Sequence, residues 1–152
     1  MTYQVTKTYS HNEGWSTAFR QPGADSHCHY IHGYALAFEF TFECETLDDN
    51  NWVLDFGALR PLKAWLQSHF DHKTIIATGD PHLEWFREGH KRGILDLIEI
   101  PSLGCESFAR LAANRAEQLL LDEDQHNRVR LISVKVSEHS GNSAIYFPKG
   151  SS

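Results

Sequence analysis

Tyr34-Ala35-Leu36-Ala37-Phe38-Glu39-Phe40-Thr41-Phe42-Glu43-Cys44-Glu45 is the stretch whose reading decides the fold. Tyr34, Leu36, Phe38, Phe40, Phe42 and Cys44 alternate with Ala35, Ala37, Glu39, Thr41, Glu43 and Glu45. That period of two predicts one strand with an aromatic face and a wetter one. Upstream, Tyr3, Val5, Lys7 and Tyr9 alternate with Gln4, Thr6 and Thr8, a weaker pattern rich in strand formers, read as the partner strand. Downstream, Leu47-Asp48-Asp49-Asn50-Asn51 carries turn residues, and Trp52-Val53-Leu54 leads into Asp55, a helix cap for the segment from Gly57 to Phe70. Pro61 sits in the first turn, where it is tolerated. Leu59, Leu62, Leu66 and Phe70 recur every three or four residues and form a buried helical stripe.

Residues 73 to 103 read as a loop with some local structure: Gly79-Asp80-Pro81 is a turn, His82 to Lys91 fits a short helix, and Leu95 to Ile100 alternates weakly. A second long helix runs from Cys105 to Leu121, with Phe108, Leu111, Ala112, Arg115 and Leu119 at helical spacing, and Asp122-Glu123-Asp124 ends it. Val129 to Glu138 is a second clean strand with Ile132, Val134 and Val136 on one face, and Ala144 to Phe147 a short final strand. The order strand, strand, helix, helix, strand, strand is that of an α+β chain, and 152 residues suit one domain over 1–152.

Charge narrows the function. Fourteen Lys plus Arg against 20 Asp plus Glu leave a net charge of -6, which offers no broad basic surface to a phosphate backbone, so a nucleic-acid partner is not expected. The nearly apolar stretches are strand-sized, short of the ~20 residues a membrane span needs, so no membrane partner is expected either. Met1 to Ser10 lacks the basic and apolar regions of a signal peptide, and three cysteines cannot all pair within one chain, which predicts a cytoplasmic protein with reduced thiols. Of the ten histidines, His27, His29 and His32 fall within six residues around Cys28. Imidazoles beside a thiol supply metal ligands, general bases and a reactive sulfur in one place.

Several local patterns, in this order and spacing, resemble the 6-pyruvoyl-tetrahydropterin synthase and 6-carboxytetrahydropterin synthase family over nearly the whole chain. Trp15-Ser16-Thr17-Ala18-Phe19-Arg20 resembles the family's aromatic-x-Ala-Ala-His-Arg segment, and Cys28-His29-Tyr30-Ile31-His32-Gly33-Tyr34 its Cys-x-x-x-His-Gly-His motif. Val53-Leu54-Asp55-Phe56-Gly57, followed by Asp71-His72, resembles its Val-x-Asp-Phe strand exit and catalytic Asp-His pair. Glu106 aligns with the Glu of Pro-Thr-x-Glu-Asn, although Gly104 and Ser107 replace the Thr and Asn, and Val136-Ser137-Glu138 with Ala144-Ile145-Tyr146 aligns with the terminal Glu-containing strands.

The resemblance implies a tunnelling fold (T-fold): a four-stranded antiparallel sheet with two helices on one face, assembled into an oligomeric barrel, a homotrimer or hexamer with sites between subunits. It implies a lyase acting on 7,8-dihydroneopterin triphosphate or a close pterin, on the queuosine (7-deazaguanine) or the tetrahydrobiopterin route. Cys28 is then the base that takes a proton from the substrate side chain, and Asp71 and His72 set its ionisation and relay protons. The plain alternatives are an inert loop thiol at Cys28, and an imidazolium at a helix C-terminus beside a surface Asp71. Glu138 is implied as the group that accepts two parallel hydrogen bonds from the pterin's 2-amino group and ring N–H, against a Glu merely exposed at a strand end. Glu106 is implied as a second substrate-binding residue, with a helix N-terminal charge as its rival.

The family's zinc is held by three histidines, of which only His32 is kept; Phe19 and Tyr34 replace the other two. The expectation is therefore a zinc site that is absent, or displaced onto His27 and His29, and no organic cofactor. A pterin- or purine-binding homologue that lost chemistry with its zinc is the competing function. A structural subunit of a mixed barrel is a third.

Overall fold

The computed structural model describes residues 1–150. Among them the elements run β1 (Tyr3–Tyr9), β2 (Ser16–Phe19), β3 (His32–Ala35), β4 (Ala37–Cys44), α1 (Arg60–Phe70), β5 (Lys73–Ala77), α2 (Leu83–Lys91), β6 (Leu97–Ile100), α3 (Cys105–Asp122), β7 (Val129–His139) and β8 (Asn142–Tyr146). The four long-range strands expected from alternation form one antiparallel sheet in the order β1-β4-β7-β8. β1 pairs with β4 from Tyr3 opposite Cys44 to Tyr9 opposite Phe38.

The aromatic face of β4 is the centre of the core. Phe38, Phe40 and Phe42 have no exposed surface, and Phe38 meets Phe70 at the end of α1 at 4.8 Å between ring centroids. Phe70 in turn meets Phe108 of α3 at 5.4 Å. α3 presents Ala109, Ala112, Ala113 and Ala116 to the interior, all buried, and such small side chains let a helix axis approach closely. The α+β T-fold expected from the resemblance is thus present.

Three features differ from the sequence reading. Tyr34 to Glu45 is two strands, with Leu36 between β3 and β4 and the two halves in different sheets. Leu36 continues the alternation and is itself fully buried, so the break leaves no mark in the pattern. Residues 73–103 hold a β5-α2-β6 unit in place of a loop. Its strands pair in parallel, from Thr74 opposite Leu97 to Ala77 opposite Ile100. Ile75 and Ile76 are both buried, one on each face, and a strand covered on both faces shows no alternation. Consequently a second four-stranded sheet, β3-β2-β5-β6, and a third helix stand beside the expected sheet and its two helices.

The second sheet carries the motif residues. β2 pairs antiparallel with β3, setting Phe19 opposite His32 and Ala18 opposite Gly33, and parallel with β5. A Cβ on Gly33 would lie 2.6 Å from the Thr17 carbonyl oxygen, so this close approach of β3 to β2 requires glycine. The Thr17 hydroxyl, buried, donates to the Phe70 carbonyl at 2.7 Å and ties β2 to the end of α1. Asp55 accepts from the Gly57 amide at 2.8 Å and caps a 3-10 turn, Phe56–Leu59, that runs into α1. Among the described residues no helix is long and apolar enough to cross a membrane.

Candidate active site

The segment between β2 and β3 is a closed loop. The Gln21 amide donates to the Cys28 carbonyl at 2.9 Å, and Ser26 caps the 3-10 turn His27–His29 by accepting from the Cys28 amide. Arg20 anchors the loop from below: Nε lies 2.8 Å from Asp80 Oδ2, Nη2 3.3 Å from Oδ1, and Nη1 donates to the His29 carbonyl at 3.0 Å. Burial on its own would raise the Asp80 carboxyl, but the Arg20 hydrogen bonds, the His82 amide and the Arg20 charge together hold it below the usual carboxylate range. A half-buried Cys28 thereby lines a cleft of about 220 Å³.

Two further elements bring carboxylates to that cleft. α3 starts at Cys105 immediately after Gly104, whose φ of 104° is open only to glycine, and Glu106 lies in its first turn. On β7 the register with β8 slips between Ser137 and His139, which leaves Glu138 as the unpaired residue of a bulge. Glu138 keeps the phase of the buried Val134 and Val136, and it lines the cleft with Cys28, His32 and Glu106. Cys105 records their proximity: burial first, then the charges of Glu138 and Glu106, push its thiol up to about 12. Burial, followed by the charges of Glu138, Cys28 and Cys105, also raises the Tyr34 phenol.

Of the residues picked out in the sequence, then, Cys28, His32, Glu106 and Glu138 converge within one chain. Asp71 and His72 do not join them. His72 Nδ1 lies 2.6 Å from Asp71 Oδ1, as a coupled pair should, but the imidazole is 83% exposed. Lys73 pairs with Thr17 while His32 pairs with Phe19, so the pair sits beside the far end of β2 from the cleft. Sequence reasoning missed Gln21, whose side-chain Nε2 donates to the Leu103 carbonyl at 2.9 Å and so bridges the Cys28 loop to the start of α3. It also took Asp80 only as a turn residue. A larger groove of about 460 Å³ follows β1 past Trp52 and Phe56, but its acidic side chain, Asp55, is engaged in capping.

The residues around His32 do not fit a zinc ion in the position the family motif implies. Phe19, 2% exposed, offers no lone pair, and its ring packs on His32 at 5.1 Å and edge-on against Phe108 at 5.2 Å. Tyr34 packs on His32 at 5.7 Å. His27 and His29 sit on the preceding 3-10 turn, and His29 directs Nδ1 to the Ser26 carbonyl at 2.6 Å. Among the described residues of one chain, no three His, Cys, Asp or Glu side chains are grouped so as to hold a metal ion.

Known proteins share this architecture. An uncharacterized protein of Wolinella succinogenes superposes with a TM-score of 0.81 at 16% identity, covering 98% of this chain and 99% of its own. The 6-pyruvoyl tetrahydropterin synthase of Plasmodium vivax gives 0.70 at 16% identity over 96% and 97%, and that of Caenorhabditis elegans 0.61 at 15% over 98% and 96%. In sequence, the 6-carboxy-5,6,7,8-tetrahydropterin synthase of Rickettsia bellii is 33% identical over 69 residues, 45% of this chain and half the length of that curated relative. The family model described as 6-pyruvoyl tetrahydropterin synthase matches residues 8–149. With its motifs on that fold and its match nearly end to end, the chain belongs to the 6-pyruvoyl tetrahydropterin synthase family.

Proposed function

We propose that the chain is a pterin-converting lyase acting on 7,8-dihydroneopterin triphosphate or a close pterin, with the 6-carboxytetrahydropterin branch and the 7-deazaguanine (queuosine) route favoured by its curated relative. One observation carries the reading: residues 28 and 138, far apart in sequence, bring a thiol and a carboxylate to the lining of one cleft. Glu138 accepts hydrogen bonds from the pterin's 2-amino group and ring N–H, fixing the heterocycle's edge. Cys28, as thiolate, takes a proton from the side-chain carbon next to the one that bears the triphosphate; the electron pair of that C–H bond becomes a C=C bond as the C–O bond to the triphosphate breaks.

Asp71 and His72 enter this reading from a second copy of the chain. Their exposure and their distance from the cleft of their own chain support it, as do β1 and β8, which form the two edges of the first sheet. Edge strands of that kind invite pairing with a neighbour, so we place the chain in a homo-oligomeric barrel, trimer or hexamer. The three cysteines are free thiols, which suits a cytoplasmic setting. Incubating the purified protein with 7,8-dihydroneopterin triphosphate, with and without added zinc, and identifying products by mass tests the reaction. Release of triphosphate with a pterin whose side chain has lost that group is expected; an intact substrate under both conditions refutes the lyase.

A further inference from the structure

Phe19, His32 and Tyr34 form a triangle. Phe19 and His32 are direct cross-strand partners on β2 and β3, and Tyr34 lies two residues beyond His32 on the same face. Their ring centroids are 5.1, 5.7 and 6.2 Å apart. Three imidazoles holding one zinc at 2.0–2.1 Å place their ring centroids about 5 Å apart. The backbone that would present three ligands to one point is therefore intact, and what has changed is the donor set. Phe108 closes the triangle from α3 by meeting Phe19 edge-on at 5.2 Å with an interplanar angle of 90°.

His32 keeps the tautomer that a ligand in such a site has, while its two neighbours offer no imidazole beside it. Its Nδ1 donates to the Tyr30 carbonyl at 2.8 Å, since a carbonyl can only accept, so in the neutral ring Nε2 carries the lone pair. His32 lines the same cleft as Cys28 and Glu138.

We propose that packed aromatic rings stand in place of a metal in this chain, and that His32 uses Nε2 to accept a hydrogen bond from a side-chain hydroxyl of the ligand. The first half rests on the triangle alone. The second rests also on the pterin reading given above, because it needs a ligand whose ring is held at Glu138 and whose hydroxylated side chain extends toward His32.

The zinc arm uses protein purified without added metal, equilibrated with zinc and dialysed. Wild type is expected to retain no stoichiometric zinc, whereas Phe19→His with Tyr34→His, which restores three donors on the existing scaffold, retains about one per chain and gives the visible absorption of a tetrahedral site with cobalt. One zinc held by wild type and lost on His32→Ala overturns the proposal, as does a folded double variant that binds none. If the double variant does not fold, the wild-type zinc count still decides.

The ligand arm measures binding of 7,8-dihydroneopterin and of 7,8-dihydropterin, which lacks the side chain, by calorimetry with a chelator present. The hydroxylated ligand is expected to bind about five- to tenfold tighter, the worth of one hydrogen bond. His32→Ala should close that gap and leave dihydropterin binding unchanged. Equal weakening of both ligands by His32→Ala, or collapse of the gap under chelator, overturns the role of His32. Binding of neither ligand refutes the pterin reading and that role together, while the zinc counts judge the aromatic replacement on their own.

Discussion

Arg20 and Asp80, 60 residues apart in sequence, form a two-point ion pair whose carboxylate side chain has no exposed surface. The third guanidinium bond, to the His29 carbonyl, passes this anchorage to the loop that holds Cys28. Removing one partner strands a buried charge, so Asp80→Ala should cost about 3–5 kcal/mol. Urea unfolding measures it. Because the folded carboxyl titrates below its unfolded value, the contribution is present above the unfolded pKa near ~3.9 and fades as pH falls through the folded one. The acid limb of a stability–pH curve should flatten in the variant.

At the alkaline end the sign reverses. The Cys105 thiol, pushed up to about 12 by burial and then by Glu138 and Glu106, stays neutral in the folded chain while an unfolded thiol ionises near ~8.5. Its contribution is complete below the unfolded value and is lost as pH rises toward the folded one. Stability should decline over that window, and Cys105→Ala should remove part of the decline. Native alkylation at pH 8 gives a direct reading: mass spectrometry should find Cys28 modified and the buried Cys44 and Cys105 protected.

Glu138 was legible as a carboxylate closing an apolar strand; the bulge it sits in was not, because an unpaired residue is a property of two strands in register. Likewise β4 and β7 declare themselves by a wet face and a dry one, whereas Ile75 and Ile76 are dry on both and β5 looks like loop. The Arg20–Asp80 pair has no periodicity to betray it. What the motif order did convey was which side chains meet, and Cys28, His32, Glu106 and Glu138 do. The motif could not say that Asp71 and His72 lie outside the cleft of their own chain.

If Glu138 fixes the heterocycle, Glu138→Gln replaces a charged double acceptor by an amide whose second atom is a donor. A charge-assisted pair is lost, and pterin affinity in calorimetry should fall by about 2–3 kcal/mol with the fold unchanged by circular dichroism. Unaltered affinity would remove Glu138 from the site.

Gly104 sets the direction in which α3 enters the cleft. At φ 104° a Cβ is strained whatever the space around it, and here it would also lie 3.2 Å from Gln21 Nε2. Gly104→Ala should therefore destabilise by about 1–2 kcal/mol. It should also disturb the Gln21 to Leu103 bond, so that Gln21→Ala, which clears the neighbour, recovers part of the loss in a thermal melt.

The separation of Asp71–His72 from Cys28 makes the strongest demand on the proposed site. If each cleft is completed by the pair from a neighbouring copy, Cys28→Ala and His72→Ala are each inactive alone for different reasons. Mixing the two under conditions that exchange subunits creates interfaces in which an intact Cys28 faces an intact Asp71–His72 pair. In a barrel of randomly mixed copies in equal amounts, each cleft has a one-in-four chance of drawing both intact parts. Recovery of roughly a quarter of wild-type turnover in the mixture is therefore expected, with Cys28→Ala mixed with a second Cys28 variant as the silent control. Cys28→Ala should also bind pterin about as well as wild type, because the ring is held at Glu138. A mixture as inactive as its parents, in a protein shown by light scattering to exchange subunits, would place the Asp71–His72 pair outside the reaction.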